Sequence, residues 1–338
     1  MRHKQWFFKL LATLLLLLTF LFTLAFIVDP YGVTPYNLLH IRYKSVETVR
    51  KEKVILSKNF SRIDNLILGS SRAKRIDPKL VSSYLGGDTF NFAVNSASVE
   101  DYLGILYFLE KEGKVPKNLL LFFDFYILNS KLPPDPRFLA TSELSGFLNG
   151  RPAYAIENFL SWGALEQSVA TLKNHFSGSA PDQRNRKDGM LLTPKQNRAL
   201  KKRGSAEGLR LIEKSSSDYF LNKYSWATYD TLSDWRLQLL KKLVAFARKH
   251  NIRLYAALTP VHPLHYQNIL GHPVLGKTLT RFRQAVRQQF PFRDFMDSPP
   301  PYPSPRNWYD AIHYDQEIAD WLVKALLDER MSSSEEEK

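Results

Sequence analysis

Leu66-Ile67-Leu68-Gly69-Ser70-Ser71-Arg72-Ala73 is the stretch on which the reading of the fold turns. The apolar run from Leu66 to Leu68 suits a strand covered on both faces, and Gly69 permits a tight exit that a side chain would obstruct. Ser71 then falls at the carboxyl end of a strand. Ligands of open α/β sheets bind at that edge, so a serine there is a candidate nucleophile if a base reaches it. The same residues admit a plainer reading in which Ser70 or Ser71 caps the following segment.

Outward from this strand, strands and helices alternate. Asp77 and Pro78 open a helix over 78–84, a second strand is expected at 89–94, a helix over 99–111, and a fully apolar strand at 119–123 that ends on Asp124. Three strands alternating with two helices predict an α/β fold with a central parallel, doubly wound sheet. The alternation lapses over about 128–217, read as a mainly helical and loop insertion. It resumes with a helix at 231–249, a strand at 253–258, a helix at 274–289, a short strand at 292–295 and a closing helix at 318–327. Residues 331–338 read as a disordered acidic tail.

Residues 10–28 are apolar but for Thr13, Thr19 and Thr23 and carry no charge, a length that spans a bilayer. A buried soluble helix would carry a polar stripe, and this one has none. Arg2, Lys4 and Lys9 precede the span and predict a cytoplasmic flank at 1–9, with the remainder extracytoplasmic. Arg42, Lys44, Arg50, Lys51 and Lys53 lie further downstream and weaken that rule without reversing it. No convincing small-residue cleavage site follows, so the segment is read as an uncleaved single-pass anchor, joined by a connector at 29–63 to a domain at 64–330.

The chain has 338 residues, no cysteine and a formal charge of +14. Thiolate chemistry, disulfides and cysteine-ligated zinc are therefore excluded. The basic residues are dispersed and match no recognition-helix or aromatic RNA-binding pattern, so nucleic acid is not an expected partner. The densest basic run lies between Pro181 and Arg203, with eight basic residues against two acidic. It reads as a solvated loop, or alternatively as a contact for an anionic polymer or lipid head groups.

A second polar segment lies near the far end, Trp308-Tyr309-Asp310-Ala311-Ile312-His313-Tyr314. An Asp-x-x-His spacing sets both side chains on one side, so the carboxylate can hold the imidazole Nδ1 proton and leave Nε2 for a serine hydroxyl. Taken alone, Asp310 could equally cap the last helix and His313 lie on the surface. His262 and His265 follow the fourth strand. As a metal pair they lack a third ligand, so no metal and no cofactor is expected, and they stand as substrate-contact or structural residues with Arg72 and Asp124.

Together, Gly69-Ser70-Ser71 and Asp310-x-x-His313, in this order on this pattern, resemble the SGNH hydrolases, also called GDSL esterases. The resemblance implies a flavodoxin-like three-layer sandwich with Ser71 as nucleophile and His313 and Asp310 completing a triad. It also implies oxyanion donors at the backbone of Ser71 and near Asn95 or Ser96. The family's asparagine after the third strand is replaced by Phe123-Asp124-Phe125-Tyr126, leaving Asn95 or Asn129 as substitutes. The membrane-anchored, insertion-bearing layout is similar to the branch that modifies extracytoplasmic polymers, including the teichoic-acid D-alanylation and alginate acetylation proteins. That branch implies O-acyl ester hydrolysis or transfer on a cell-surface polysaccharide or lipid-linked glycan, with a membrane acyl-transfer protein as a further partner. The alternative is a catalytically silent relative that binds polymer or partner proteins in a cell-envelope complex.

Overall fold

The computed structural model describes residues 2–30, 38–39, 41, 49–139, 141–148, 162–177, 184–220 and 228–328. The acidic tail at 331–338 and parts of the expected connector and insertion lie outside the described residues. The chain divides into two compact units, Met1–Glu52 with Asp135–Pro181, and Lys53–Pro134 with Asp182–Lys338. The expected insertion is thus divided between the units rather than forming one body.

The first unit carries the helix Arg2–Val28. From Gln5 onward it is long and apolar enough to cross a membrane, with a mean hydropathy of 2.7 over its most apolar window. Leucines and Phe20 stand exposed along it, and only near its end do Phe22 and Phe26 pack, against Ala25 and Ala164 of the helix Trp162–Ser177. Such an all-round apolar surface suits lipid better than water.

The second unit is α/β, and its sheet is built from β1 (Asn65–Gly69), β2 (Thr89–Asn91), β3 (Asn118–Phe123), β6 (Arg253–Leu258) and β7 (Arg293–Asp294). All pairings are parallel and the spatial order is β2-β1-β3-β6-β7. Between β2 and the end of β3 the chain direction of travel across the sheet reverses, so the carboxyl ends of β1 and β3 flank the crevice in which such sheets bind ligands. Leu66, Ile67 and Leu68 and the run 119–123 are fully buried, as apolar sequence on both strand faces requires. A short antiparallel hairpin, β4 (Arg184–Asn185) and β5 (Leu191–Leu192), protects the β2 edge. Its turn places Asp188 O on Asn91 N–H at 2.9 Å, and Gly189 takes a φ of 84° with no room for a Cβ against Asn91 O.

Helices Val99–Lys111 and Asp234–Lys249 pack on each other, and so do Pro78–Leu85 and Gln316–Leu327. Between the first pair, Arg236 clasps Glu100 through Nη2 at 2.7 Å and Nε at 3.0 Å, with both residues buried. The third donor of that guanidinium, Nη1, reaches Asn129 O at 2.6 Å. Two helices go beyond the sequence reading. Val49–Lys58 lies within the supposed connector, and Pro263–Gly271 falls between the expected strand 253–258 and the expected helix 274–289, where no element was assigned.

Candidate active site

The loop leaving β1 is shaped by crowding. A Cβ on Gly69 would stand 2.6 Å from Phe122 O and 2.5 Å from the Ala73 Cβ, so only glycine lets β1 run this close to β3 before turning. Ser70 Oγ accepts from Arg72 N–H at 3.3 Å and closes the turn. Ser71 is left to face outward, half-buried, with its Oγ 2.8 Å from His313 Nε2.

His313 is oriented by its own loop. Asp310 Oδ2 lies 2.7 Å from His313 Nδ1, while Asp310 Oδ1 accepts the backbone N–H groups of Ile312 and His313, each at 2.8 Å. Burial alone would raise the Asp310 carboxyl, but His313 and those donors outweigh it and hold it down to about 2. It is therefore a carboxylate across the working pH range. That arrangement fixes the Nδ1–H tautomer and turns Nε2 toward the serine hydroxyl, the geometry a general base needs. Ser71, His313 and Asp310, 242 residues apart at the extremes, are brought into one hydrogen-bonded chain.

Beside the serine, the β1–β2 ladder continues beyond the strands themselves. Phe92 N–H donates to Ile67 O at 2.9 Å and Val94 N–H to Gly69 O at 3.0 Å, which sets Asn95 and Ser96 alongside the Ser70–Ser71 turn. Ser96 holds a φ of 51°, a left-handed backbone that non-glycine residues adopt at a cost and that recurs at functional loops. Two buried lysines fix this loop. Lys74 Nζ donates to Asn95 Oδ1 at 2.9 Å, and Lys53 Nζ to Ala93 O.

The other expected residues are placed differently. Asn129 is fully buried, its Oδ1 accepting Lys131 N–H at 2.8 Å and its backbone bridged to Leu232, so it serves the fold behind the site. Arg72 does not present its charge to solvent. It is buried in an ion pair with Asp124, itself fully buried, at 3.2 Å, and its Nη1 donates to Thr259 Oγ1 at 2.9 Å. Burial alone would lower the guanidinium, but Asp124 and the neighbouring tyrosines hold it raised. His262 caps the helix Pro263–Gly271, its Nδ1 accepting Leu264 N–H, and its backbone N–H holds Ala311 O of the Asp310 loop at 2.9 Å. His265 is buried within that helix with Nδ1 2.8 Å from Ser216 Oγ, and burial, reinforced by the Arg72 charge, pushes it down to about 3.

Three residues matter here that the sequence did not single out. Arg203, one cation of the basic run, donates Nη2 to Pro305 O at 2.7 Å and also to Trp308 O, and Nη1 to Tyr309 O at 3.2 Å. Arg75 stacks on the Tyr309 ring at 4.4 Å. The Tyr126 hydroxyl lies against Ser70 and Asp124, and burial with the carboxylate beside it pushes it well above its ordinary value, so it stays a proton donor. Within the basic run, Arg186 is likewise engaged, with Asp77 and Asp188, whereas Lys187, Lys195, Arg198, Lys201 and Lys202 are exposed.

In comparisons with known proteins, no family model matches the chain and no curated protein sequence matches it.

Proposed function

We propose that the chain is a membrane-anchored, extracytoplasmic serine O-acyl esterase or acyltransferase of the SGNH type, acting on a cell-surface glycan or lipid-linked polymer. The observation that carries the reading is the unbroken chain Ser71 Oγ, His313 Nε2, His313 Nδ1, Asp310 Oδ2, with contacts of 2.8 and 2.7 Å. The strand order supports it, being that of a flavodoxin-like sheet with the serine at the switch point. The anchor and the extracytoplasmic placement rest on the helix Arg2–Val28 and the basic residues at its start.

In the reaction, His313 Nε2 removes the Ser71 hydroxyl proton as Oγ attacks the acyl carbonyl. The imidazolium so formed is balanced by the Asp310 carboxylate. His313 then returns the proton to the departing alcohol oxygen, leaving an acyl ester on Ser71. Water or a sugar hydroxyl, deprotonated by the same imidazole, resolves that ester. Charge on the carbonyl oxygen is met by the backbone N–H groups of Ser71 and of the Asn95–Ser96 loop. Ser96, with its φ of 51°, takes a backbone that glycine adopts freely, near the position at which the resemblance sets an oxyanion-donating glycine. Tyr126, whose protonated hydroxyl lies by Ser70, belongs to the segment Phe123–Tyr126 that replaces the family's asparagine and offers a further donor.

The reading is tested in cells that carry this chain by measuring acyl esters on the envelope polymers after deletion and after replacement with Ser71→Ala. A changed ester content in the Ser71→Ala strain, equal to that of the deletion, is expected. An ester content that follows the deletion but is restored in full by Ser71→Ala contradicts it.

A further inference from the structure

At the border of the sheet where β7 is the last strand lies a cavity of about 260 Å³. Sites for drug-sized molecules run to roughly 300–1,000 Å³, so this one suits a single ring-sized unit rather than an oligosaccharide. Its walls come from three places: Arg287 at the end of the helix Leu275–Arg287, the stretch from Phe292 to Ser298 around β7, and Trp321 of the helix Gln316–Leu327. That last helix directly follows the loop of Asp310 and His313.

The lining selects by its chemistry. Arg287 and Arg293 are matched by Asp294 and Asp297, two cations against two anions, so the walls carry no net charge with which to hold a simple ion. Hydrocarbon would strip water from those groups without replacing it, a costly exchange. A polyhydroxylated ring answers both features, since its hydroxyls donate and accept while its C–H face lies on an aromatic ring.

The groups that would meet such a ring are held in place. Asp294 is spent on the fold, with Oδ2 on Arg283 Nε at 2.6 Å and Oδ1 accepting the backbone N–H groups of Met296 at 3.1 Å and Asp297 at 3.2 Å. Asp297 is exposed, its Oδ1 accepting the Tyr266 hydroxyl at 2.9 Å while its Oδ2 accepts from no group among the described residues. The Arg287 guanidinium lies over the Phe292 ring at 5.2 Å, which restrains its planar fork. Trp321, half-buried, is braced by Phe295 in an edge-on contact with ring centroids 5.4 Å apart.

We propose that this cavity is a subsite for one uncharged pyranose unit of the polymer, its C–H face on Trp321, one hydroxyl donating to Asp297 Oδ2 and another accepting from Arg287. Ser71 and Asp297 both lie beyond the carboxyl ends of parallel strands, β1 and β7, which are three strand places apart at ~4.8 Å each, or about 14 Å. The unit seated in the cavity is therefore not the one whose ester meets Ser71 but another along the same chain. The subsite deepens the proposed function by making the polymer a saccharide, and rests on that reading only for its purpose, since binding requires no turnover.

The test is saturation-transfer NMR on the full chain carrying Ser71→Ala, in a detergent without a sugar head group. The probes are the methyl pyranosides of glucose, galactose, mannose and N-acetylglucosamine, with glycerol 3-phosphate as the anionic control. At least one pyranoside is expected to bind and glycerol 3-phosphate is not. Trp321→Ala, Asp297→Ala and Arg287→Ala, each added to that background, should weaken the bound pyranoside about tenfold or more, as expected for loss of a hydrogen bond to a charged group or of the stacking face. Should the tryptophan variant not fold, Asp297→Ala and Arg287→Ala, which change exposed side chains, decide alone. Absence of binding by all four pyranosides overturns the proposal, as does undiminished binding by folded Asp297→Ala and Arg287→Ala chains. Glycerol 3-phosphate that competes with the pyranoside also overturns it, by showing an anion site. Fluorophosphonate labelling of Ser71 in the parent tests the triad separately. Labelling without pyranoside binding refutes the subsite alone, and pyranoside binding without labelling refutes the triad and leaves the subsite standing.

Discussion

Arg203 Nη1 donates to the carbonyl of Tyr309 at 3.2 Å, one residue before Asp310. With its other bonds to Pro305 and Trp308, the guanidinium gathers three carbonyls of the segment that carries Asp310 and His313. On the proposed reading, a cation from the basic run thereby holds the loop of the base in place toward Ser71, although it bonds to neither Ser71 nor His313.

Arg203→Gln is accordingly expected to act on the chemical step rather than on substrate affinity. Displacement of a catalytic group by about 1 Å costs on the order of 10²-fold in rate, so a fall of roughly tenfold to a hundredfold in kcat is expected. KM for an acyl ester should be nearly unchanged, and Arg203→Lys should recover part of the rate. Steady-state kinetics on the three proteins reads this out. An unaltered kcat in Arg203→Gln shows that the loop holds itself.

Asp310→Asn separates orientation from charge. The asparagine oxygen can still accept the Ile312 and His313 N–H groups, so the turn survives, but the imidazole loses the carboxylate that selects its tautomer. A drop in kcat of roughly 10³ to 10⁴ is expected, with thermal stability close to that of the parent. Ester hydrolysis and a melting curve on the same preparation distinguish this from unfolding.

Acid should weaken the fold through His265. An ordinary histidine titrates near 6.5, whereas buried His265 is held down to about 3. Between those values the unfolded chain binds a proton that the folded chain does not, so stability falls as pH drops from about 6.5 toward about 3. Asp310 acts in the same direction at lower pH. Its contribution is present above its ordinary 3.8 and is lost as pH falls through about 2. Urea midpoints measured across that range should decline for the parent and decline less for His265→Asn, whose amide can keep the bond to Ser216. Equal slopes would show that His265 is not the proton acceptor.

The Glu100–Arg236 pair sets the stability of the layer formed by helices Val99–Lys111 and Asp234–Lys249. Glu100→Ala leaves a buried guanidinium without its carboxylate, which costs about 3–5 kcal/mol in comparable sites. The simultaneous change Glu100→Leu with Arg236→Met should be far milder. Denaturant titration of the single and double variants tests the difference.

Much of the framework was legible from local pattern. The helix 99–111 and the strand 253–258 appear with the boundaries that sequence periodicity implies, and strands β1 and β3 are as buried as their apolar runs suggest. The Asp310-x-x-His313 spacing announced its own geometry because both partners lie on one turn. What remained hidden depends on partners distant in sequence. Arg72 looks like an exposed cation until β3 delivers Asp124 and β6 delivers Thr259. Arg203 follows Lys201 and Lys202, and nothing local distinguishes the cation that clamps the loop from the two that stand in solvent. Lys74 is fully buried, against the habit of its type, because Asn95 meets it from a loop after another strand. For His262 a signal was present, since Pro263 directly after it marks a helix start and makes the histidine a cap.

The central claim is that Ser71 becomes a nucleophile through His313, and labelling with a fluorophosphonate reads it most directly. The full chain is treated in detergent, digested, and the adduct mapped by mass spectrometry in the parent and in Ser71→Ala, His313→Ala and Asp310→Asn. The adduct is expected on Ser71 in the parent, absent in Ser71→Ala and His313→Ala, and slowed in Asp310→Asn. A folded parent chain that carries no adduct on Ser71, or one in which His313→Ala labels as fast as the parent, contradicts it.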